Sequence, residues 1–245
     1  MKITQKHKIG LFDIAHDSTL KLETMARFFQ DIAVHHTLLV NQGPEYLFSN
    51  GKVWYLHRLE IEVVRYPVFG DEITLTTWSR GFRQSMGFRE YSIASKGETM
   101  VKAGSVWVFF DVARQRVTRF PAEMAAAFGS EDQSQFDREL YLWRPEPQGI
   151  PEVRTDISLR YSDFDVNGHV NNTIYPGFVE TLCHTAPERF PDKIRRLKFR
   201  LVSEIPLGKT KIRAGCCNAG DGYNFVVNDP ADPSVIYCEG KFFCS

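Results

Sequence analysis

The stretch Phe164-Asp165-Val166-Asn167-Gly168-His169 has a counterpart near the start of the chain, Phe12-Asp13-Ile14-Ala15-His16. Both stretches precede an apolar segment with helical character, and in both cases segments of alternating polarity follow that helix. Residues 58–64 also have a similar counterpart in residues 196–202. These repeats predict two copies of one unit, each with a long helix and an antiparallel β-sheet wrapped around it.

The predicted elements have the same order in both copies. The first copy is expected to have a helix over residues 19–40, with Asp17 and Thr19 among the candidate N-caps. The second is expected to have a helix over residues 172–189, with Pro176 in its first turn. Strands are predicted at residues 54–63, 72–78, 88–95, 99–111 and 116–118, then at 153–161, 194–203, 209–217, 223–228 and 235–243, with a short helix at 121–128.

Three polar side chains stand close together in the second of the opening stretches. Asp165, Asn167 and His169 supply a carboxylate, an amide and an imidazole at spacings of i, i+2 and i+4. In an extended or turning backbone these positions point to one face. The helix that follows would add unpaired N–H donors near Asn171 and the positive end of its dipole. Such a group can polarise a carbonyl or bind an anion.

Two other interpretations use the same residues. Asn167-Gly168 among other Asp and Asn residues is ordinary turn chemistry, in which Asn171 or Asn172 serves only as an N-cap. The spacing Asp163-x-Asp165-x-Asn167-Gly168 also copies the first half of a calcium-binding EF-hand loop, which needs a glutamate at its twelfth position. That position is Ile174, which has no ligand atom, so a calcium loop is excluded.

Composition restricts the class of protein. The 245 residues carry a formal net charge of zero, so no overall field attracts nucleic acid or a membrane surface. No segment has the apolar length needed to span a membrane, and the start of the chain lacks the apolar run of a signal peptide. The five cysteines are an odd number without a C-x-x-C pair, which favours reduced thiols in the cytoplasm over a disulfide framework or a zinc site. No metal or cofactor is therefore expected.

These motifs resemble those of the acyl-ACP thioesterases of bacteria and plants. Asp165-Val166-Asn167-Gly168-His169-Val170-Asn171-Asn172 is similar to the D-x-N-x-H-V-N-N signature of that family. Residues 22–24, 29–33, 61–71 and 105–108 are similar to its N-terminal half, so the resemblance spans nearly the whole chain. The implied fold class is α+β: two tandem hot dog domains, each a long helix wrapped by an antiparallel β-sheet.

The resemblance implies a set of catalytic residues. It assigns catalysis to Asp165, Asn167 and His169, and adds Glu204 from a following strand. Plant members often have a cysteine directly after that glutamate, but this chain has Ile205, so the carboxylates must carry the chemistry. Asp165 and Glu204 could together aim a water at the substrate carbonyl, or Asp165 could attack it and form an acyl anhydride. The sequence leaves both routes open.

The implied domains have different roles. Residues 1–128 would form an N-terminal hot dog domain that binds the acyl chain, 129–151 a polar, proline-bearing linker, and 152–245 a catalytic C-terminal hot dog domain. The first copy lacks the full polar set. In the sequence alignment of the copies, Ala15 stands in place of the amide and Arg65 lies near the place of the glutamate.

The implied activity is hydrolysis of the thioester between a fatty acyl chain and acyl carrier protein. That carrier protein is the implied partner, and a homodimer is a possible assembly. Because the carrier is acidic, its docking face should be basic. Two clusters of basic residues qualify: Arg196, Lys198 and Arg200 on one strand face, and Arg80, Arg83 and Arg89.

Three rival functions remain on this fold. An acyl-CoA thioesterase would use the same site on a different thioester. A non-catalytic acyl-binding regulator would need an effector region, and no DNA-binding helix pair or basic arm precedes residue 10. A dehydratase acts beside the carbonyl, whereas the pairing of Asp165 with Glu204 fits hydrolysis better.

Overall fold

The computed structural model describes residues 1–136, 139–146 and 149–244. It contains two compact units, Met1–Leu142 and Trp143–Ser245. In each of them one helix packs against an antiparallel sheet. The α+β class predicted from the sequence is confirmed.

The first unit is a five-strand antiparallel arrangement with one long helix and shorter additions. Its elements in chain order are β1 (Lys2–Lys8), α1 (Leu22–Leu39), α2 (Pro44–Ser49), β2 (Lys52–Val63), β3 (Glu72–Arg83), β4 (Met86–Ser95), β5 (Glu98–Asp111), β6 (Arg116–Val117) and α3 (Ala122–Phe128), followed by a 3-10 turn at Leu140–Leu142. The strands lie side by side in the order β1-β3-β4-β5-β2, and β6 pairs with β5. Every one of these neighbouring pairs is antiparallel.

The second unit repeats this arrangement. Its elements are β7 (Val153–Ser158), a 3-10 turn (Tyr161–Asp163), α4 (Tyr175–His184), β8 (Ile194–Leu201), β9 (Lys211–Asn218), β10 (Tyr223–Asn228) and β11 (Ile236–Cys244). The strand order is β7-β9-β10-β11-β8, again antiparallel throughout. Strand by strand, this is the order of the first unit with β7 in place of β1. The duplication predicted from the sequence is therefore confirmed at the level of topology.

The apolar stripe of α1 supplies the core of the first unit. Its inward side chains recur at helical spacing, and Phe29 lies against Tyr91 of β4 with the ring centroids 4.9 Å apart. Burying each such side chain contributes roughly 1.5–3 kcal/mol. In the second unit Phe178, Val179 and Leu182 of α4 are buried in the same way. The buried residues of α1 are Leu22, Thr24, Met25, Ala26, Phe28, Phe29, Ile32, Ala33 and His36.

Both helices are shorter than the sequence predicted. The N-cap of α1 is Lys21, which makes no side-chain cap, and Asp17 instead accepts a hydrogen bond from the Thr19 N–H inside the preceding loop (3.1 Å). The expected capping role of Asp17 and Thr19 was wrong. In the second unit, α4 ends at His184, because Pro187 has no N–H to extend the helical hydrogen bonds.

Two elements of the first unit were not predicted. In β1 only one of the three half-buried side chains, Ile3, is apolar, and the other two are Gln5 and His7, so the period-two signal is weak. The helix α2 begins at Pro44, a position at which proline is favoured, and it is only six residues long. Local sequence patterns carried too little information for either.

The predicted linker, 129–151, is divided between the units, and its residues 137, 138, 147 and 148 lie outside the described part of the chain. Its first part packs on the first unit. The Trp78 indole N–H donates to the Gln133 carbonyl (2.8 Å), and the Gln135 N–H donates to Glu90 Oε2 (3.2 Å). Burial raises the pKa of Glu90 to about 7. These contacts hold residues up to 136 against the sheet.

None of the helices within the described residues is long and apolar enough to cross a membrane. The five cysteines are all unpaired in the structure.

Candidate active site

The predicted site lies in the loop between β7 and α4, and backbone hydrogen bonds fix the shape of that loop. The Asp165 N–H donates to the His169 carbonyl (2.8 Å), and the Gly168 N–H donates to the Asp165 carbonyl (3.1 Å). Gly168 has a φ of +78°, a conformation that glycine adopts without strain. The turn chemistry considered for this sequence is therefore real, and it serves to present the three polar side chains.

The Asp165 carboxylate is at the centre of this loop. Its Oδ1 accepts the N–H groups of Asn167 (2.8 Å) and His169 (3.3 Å). Its Oδ2 lies 3.3 Å from the Asn167 side-chain nitrogen. Asp165 and His169 are half-buried and Asn167 is exposed, so the group stays open to a substrate. The structure thus brings together the three residues that the sequence placed in one small volume.

Glu204 joins this group from a distant part of the chain. The Val170 N–H donates to the Ile205 carbonyl (3.0 Å), and His169 forms a β-bridge with Pro206. This pairing places His169 Nε2 3.1 Å from Glu204 Oε2. Both side chains keep access to solvent, with 30% of the His169 side chain and 47% of the Glu204 side chain exposed. A carboxylate and an imidazole in contact can hold each other's orientation and exchange a proton.

Tyr175 is a further member of the site that the sequence did not single out. It is the first residue of α4 and is 3% exposed. Burial raises the pKa of its hydroxyl well above the usual value, and nearby ionisable groups raise it further, namely Cys238, Glu204, Tyr237 and Asp165. Tyr175 therefore remains a neutral phenol at the start of the helix that follows the loop. A tyrosine in an apolar helix is more often a core residue, so no local signal marked it.

Two of the backbone N–H groups near Asn171, where oxyanion donors were expected, already have acceptors. The Asn171 N–H donates to the Asp163 carbonyl (2.8 Å), and the Thr173 N–H donates to Asn171 Oδ1 (3.0 Å). The helix itself begins only at Tyr175. Asn171 therefore closes a turn before the helix.

Asp163 is a positioning residue of this loop. It is 2% exposed, and its carboxylate accepts the Arg160 N–H (2.8 Å) and the Arg160 Nε–H (3.0 Å). Through its carbonyl it also holds the Asn171 N–H. In the sequence it entered only as a possible calcium ligand. Its role became visible only when its hydrogen bonds across the loop were known.

Replacing Asp163 with alanine is expected to destabilise the protein by about 1–3 kcal/mol, because the hydrogen bonds of a buried carboxylate to the Arg160 N–H and Nε–H are lost. Urea unfolding followed by circular dichroism measures the change. Asp156→Ala is the matched control, since Asp156 pairs with Arg213 at the surface (2.6 Å) and exposed ion pairs contribute little. Equal shifts of the unfolding midpoint in the two variants would contradict the role given to Asp163.

The first unit contains a loop with the same backbone hydrogen bonds but different side chains. The Ala15 N–H donates to the Thr19 carbonyl (2.8 Å), as the Asp165 N–H donates to the His169 carbonyl (2.8 Å). Ala15 therefore occupies the place of Asp165, and Thr19 that of His169. The first copy thus has no carboxylate at the position of Asp165 and no imidazole at the position of His169, and Asp17 stands at the position of Asn167.

The sequence alignment of the two loops was therefore out of register by two residues. Asp13 is equivalent to Asp163 in the second unit. Asp13 Oδ2 accepts the Gly10 N–H (2.9 Å), and Asp163 Oδ2 likewise accepts the Arg160 N–H (2.8 Å). The recurring Phe-Asp pair drew the alignment to the wrong aspartate. The sequence alignment placed Ala15 at the position of Asn167, and the structure corrects this.

The counterpart of Glu204 in the first unit also changes. The Phe69 N–H donates to the Ser18 carbonyl (3.1 Å), and the Leu207 N–H donates to the Gly168 carbonyl (2.7 Å). Ser18 and Gly168 are the residues with positive φ in the two loops. Counting back three residues from each pairs Tyr66 with Glu204, so Arg65 is not the counterpart. All four catalytic candidates have non-catalytic partners in the first unit, and the two loops differ in side chains alone.

The basic clusters are less open than the sequence indicated. Arg89 is buried and cannot contact a partner's surface. Arg80 is paired with Glu139 at 3.1 Å. On β8, Arg200 Nε donates to Glu239 Oε1 (2.6 Å), and the Lys198 ammonium lies over the Trp143 ring, 5.1 Å from its centroid. Most of these charges already have partners in their own unit.

Comparison with protein families identifies both halves. The model of the acyl-ACP thioesterase N-terminal domain matches residues 1–128, and the model of the acyl-ACP thioesterase C-terminal domain matches residues 151–209. The chain belongs to the acyl-ACP thioesterase family. The second match contains the loop with Asp165, Asn167 and His169, and also Glu204.

Two curated plant proteins are among the relatives of this acyl-ACP thioesterase family member. The chloroplastic acyl-[acyl-carrier-protein] hydrolase FATB3 of Cuphea viscosissima is 30% identical over 185 residues, which cover 70% of this chain and 44% of that protein. The chloroplastic palmitoyl-acyl carrier protein thioesterase of Arabidopsis thaliana is 28% identical over 191 residues, covering 71% of this chain and 45% of the relative. The chain thus matches somewhat under half the length of these relatives.

Solved structures of the family share its double hot dog fold. An acyl-ACP thioesterase from Bacteroides thetaiotaomicron superposes with a TM-score of 0.86 at 19% identity, covering 100% of this chain and 98% of the other. The 12:0-ACP thioesterase from Umbellularia californica gives a TM-score of 0.83 at 17% identity, covering 100% and 97%. These likenesses confirm the predicted double hot dog fold of the family.

Proposed function

We propose that this chain hydrolyses the thioester between a fatty acyl chain and acyl carrier protein, and so releases the free fatty acid. The observation that carries the proposal is the pairing of His169 with Glu204 at 3.1 Å beside the fixed carboxylate of Asp165. Family membership supports the same activity. The first unit, which lacks this set, binds the acyl chain, and the second unit carries the chemistry.

Hydrolysis at this site proceeds by attack of water on the carbonyl carbon. One of the two carboxylates, Asp165 or Glu204, accepts the proton that the water loses. The Asn167 amide donates to the carbonyl oxygen as negative charge develops on it. The carbon–sulfur bond then breaks, and a proton passes to the leaving thiolate through His169, which contacts Glu204. The products are a carboxylic acid and the free thiol of the carrier.

The carrier protein is the proposed partner in this reaction. Of the two basic clusters, the one on β8 is favoured, because Arg196, Lys198 and Arg200 lie on one strand face and are all partly exposed, whereas Arg89 of the other cluster is buried. Leu197 and Phe199 between them are buried on the other face, as the alternation predicted.

The proposal is tested by product analysis across acyl carrier substrates of different chain lengths, with matched acyl-CoA thioesters as the second arm. We expect free fatty acid and carrier thiol in equal amounts, with higher kcat/KM for the carrier-bound substrate. Higher kcat/KM on acyl-CoA would instead identify an acyl-CoA thioesterase. Binding of acyl chains without any thiol release would identify a non-catalytic acyl-binding protein.

A further inference from the structure

The segment between β8 and β9, residues 202–210, carries Glu204 and is mostly exposed. Its start is attached to Tyr237, which lies in β11 and is 3% exposed. The N–H groups of Val202 (2.9 Å) and Ser203 (3.4 Å) both donate to the Tyr237 carbonyl. The first residues of the segment are therefore fixed to a buried strand.

The side chain of the same tyrosine helps to attach the other end of the segment. The Tyr237 hydroxyl donates to Asp229 Oδ2 (3.1 Å), and the Lys209 ammonium donates to the same oxygen. Asp229 Oδ1 accepts the Ala231 N–H (3.0 Å). The lysine and the Ala231 N–H lower the pKa of the Asp229 carboxyl, so it is ionised at pH 7. Lys209, Asp229 and Tyr237, the anchor trio, thus form a continuous chain of hydrogen bonds.

The anchor trio is more than a surface ion pair. Asp229 is 8% exposed, and 31% of the Lys209 side chain is exposed. Both oxygens of the carboxylate have donors, as a buried charge requires. Exposed ion pairs hold their geometry weakly, whereas a partly buried pair with a further hydrogen bond is better fixed. The trio can therefore hold the end of the segment in one place.

The first unit has the same backbone attachment without the hydroxyl. There the N–H groups of Val64 (2.9 Å) and Arg65 (3.1 Å) donate to the Met100 carbonyl. This repeats the attachment of the Glu204 segment to the Tyr237 carbonyl. Met100 is therefore the counterpart of Tyr237, and its side chain offers no donor.

The counterpart of Lys209 has the opposite charge. The Lys209 N–H donates to the Pro206 carbonyl (3.1 Å), and the Asp71 N–H donates to the Val68 carbonyl (3.1 Å). Asp71 therefore stands at the position of Lys209. Its carboxylate turns back on its own loop and accepts the Val68 N–H (3.0 Å).

The counterpart of Asp229 is Ser95. The residue before Ser95 in β4 and the residue before Asp229 in β10 pair with the residues that directly precede Met100 and Tyr237. The Ser95 hydroxyl donates to the Glu72 carbonyl (2.9 Å). The first unit thus keeps the backbone attachment with a methionine, an aspartate and a serine in place of the trio. The fold of this segment does not depend on the trio.

We infer that the anchor trio positions Glu204 against His169. The trio occurs in the unit whose segment carries Glu204, whereas the unit without it has Tyr66 at that position. The Glu204 side chain is 47% exposed, so few contacts of its own hold it at 3.1 Å from His169 Nε2. Acid–base groups must keep their separation to a fraction of an ångström, and a fixed backbone provides this. The inference rests on the proposed function, in which Glu204 takes part in hydrolysis.

The kinetic test compares Lys209→Met with the wild type on dodecanoyl acyl carrier protein. We expect kcat to fall by roughly 10- to 100-fold, the cost of a small misplacement, with KM unchanged because no group of the candidate active site is removed. Lys209→Arg keeps the charge and should recover most of the loss. Arg213→Met is the matched control and should keep the kcat of the wild type. Arg213 has the same side-chain exposure, 31%, and pairs with Asp156 at the surface.

Crystal structures of the wild type and Lys209→Met test the positioning without turnover. We expect the contact between His169 Nε2 and Glu204 Oε2 in the wild type and its loss in the variant. If Lys209→Met does not fold, Tyr237→Phe removes only the hydroxyl of the trio and should lengthen the same contact.

An intact contact in the variant would overturn the inference. So would a kcat of Lys209→Met close to that of the wild type, or a loss that Lys209→Arg does not recover. A wild-type chain that fails to hydrolyse acyl carrier substrates would refute the proposed function, whereas the two crystal structures would still decide whether the trio positions Glu204.

Discussion

Replacing Asp165 with asparagine is expected to lower kcat for acyl carrier substrates by roughly 100- to 10,000-fold, the range typical of lost general acid–base help. The substitution separates chemistry from loop structure. An asparagine side-chain oxygen can still accept the N–H groups of Asn167 and His169, which lie 2.8 and 3.3 Å from Asp165 Oδ1. Only the negative charge and the ability to take a proton are removed.

The first unit offers a matched control for Asp165→Asn. Asp17 occupies the equivalent loop, where it accepts the Thr19 N–H (3.1 Å), and Asp17→Asn should leave kcat unchanged. Unfolding curves of both variants should overlay that of the wild type. Near-normal turnover in Asp165→Asn would remove Asp165 from the mechanism.

The same site allows the two chemical routes to be separated. If Asp165 attacks the carbonyl, a slow substrate should leave an acyl group on it that mass spectrometry of a rapidly quenched reaction detects. We expect no such adduct, because water is the proposed nucleophile. An acylated Asp165 would replace the water route by the anhydride route without changing the overall reaction.

Replacing Gly240 with alanine is expected to destabilise the protein by about 3 kcal/mol or more, at the upper end of the cost of overpacking. Gly240 lies in β11, between β8 and β10. An added Cβ would lie 2.3 Å from the Lys198 carbonyl oxygen and 2.5 Å from Phe225 Cε1. The first of these atoms belongs to the backbone of the adjacent strand, so relief would require the two strands to separate.

Gly104 provides the comparison for this prediction, because it lies in β5, the strand of the first unit that corresponds to β11. An added Cβ there would lie 3.3 Å from Glu90 Oε2 and 3.4 Å from Phe136 Cε2, so a small shift of side chains, without strand separation, would relieve the contact. We expect Gly104→Ala to cost about 1 kcal/mol or less. The measurement is the urea midpoint of each variant, and similar midpoints would show that the close approach at Gly240 is relieved cheaply.

Local patterns were sufficient to predict the duplicated units, because period-two strands and a 3,4-spaced helix are signals within short segments. They were also sufficient to place Asp165, Asn167 and His169 on one loop. Glu204 carried no such signal, since its contact with His169 depends on the bridge between His169 and Pro206, and only the family resemblance supplied it.

What the sequence missed depends on contacts between distant residues or on backbone conformation. Asp163 and Tyr175 are buried, at 2% and 3% exposed, and burial depends on how distant segments pack around them. The two-residue error in aligning the loops arose because the residue types Phe and Asp recur, whereas the equivalence lies in backbone bonds. Arg89 was read as a surface charge for the same reason, as nothing in its neighbours along the chain indicates burial.

The paired loops have a consequence for recognising sites of this kind by shape. Ser18 adopts φ +66° where Gly168 has φ +78°, so the backbone turn survives even where its sequence has diverged. A search by backbone geometry would therefore find the loop twice in this molecule. Only the copy that carries a carboxylate and an imidazole has a candidate chemistry, so shape alone would overcount active centres in duplicated folds.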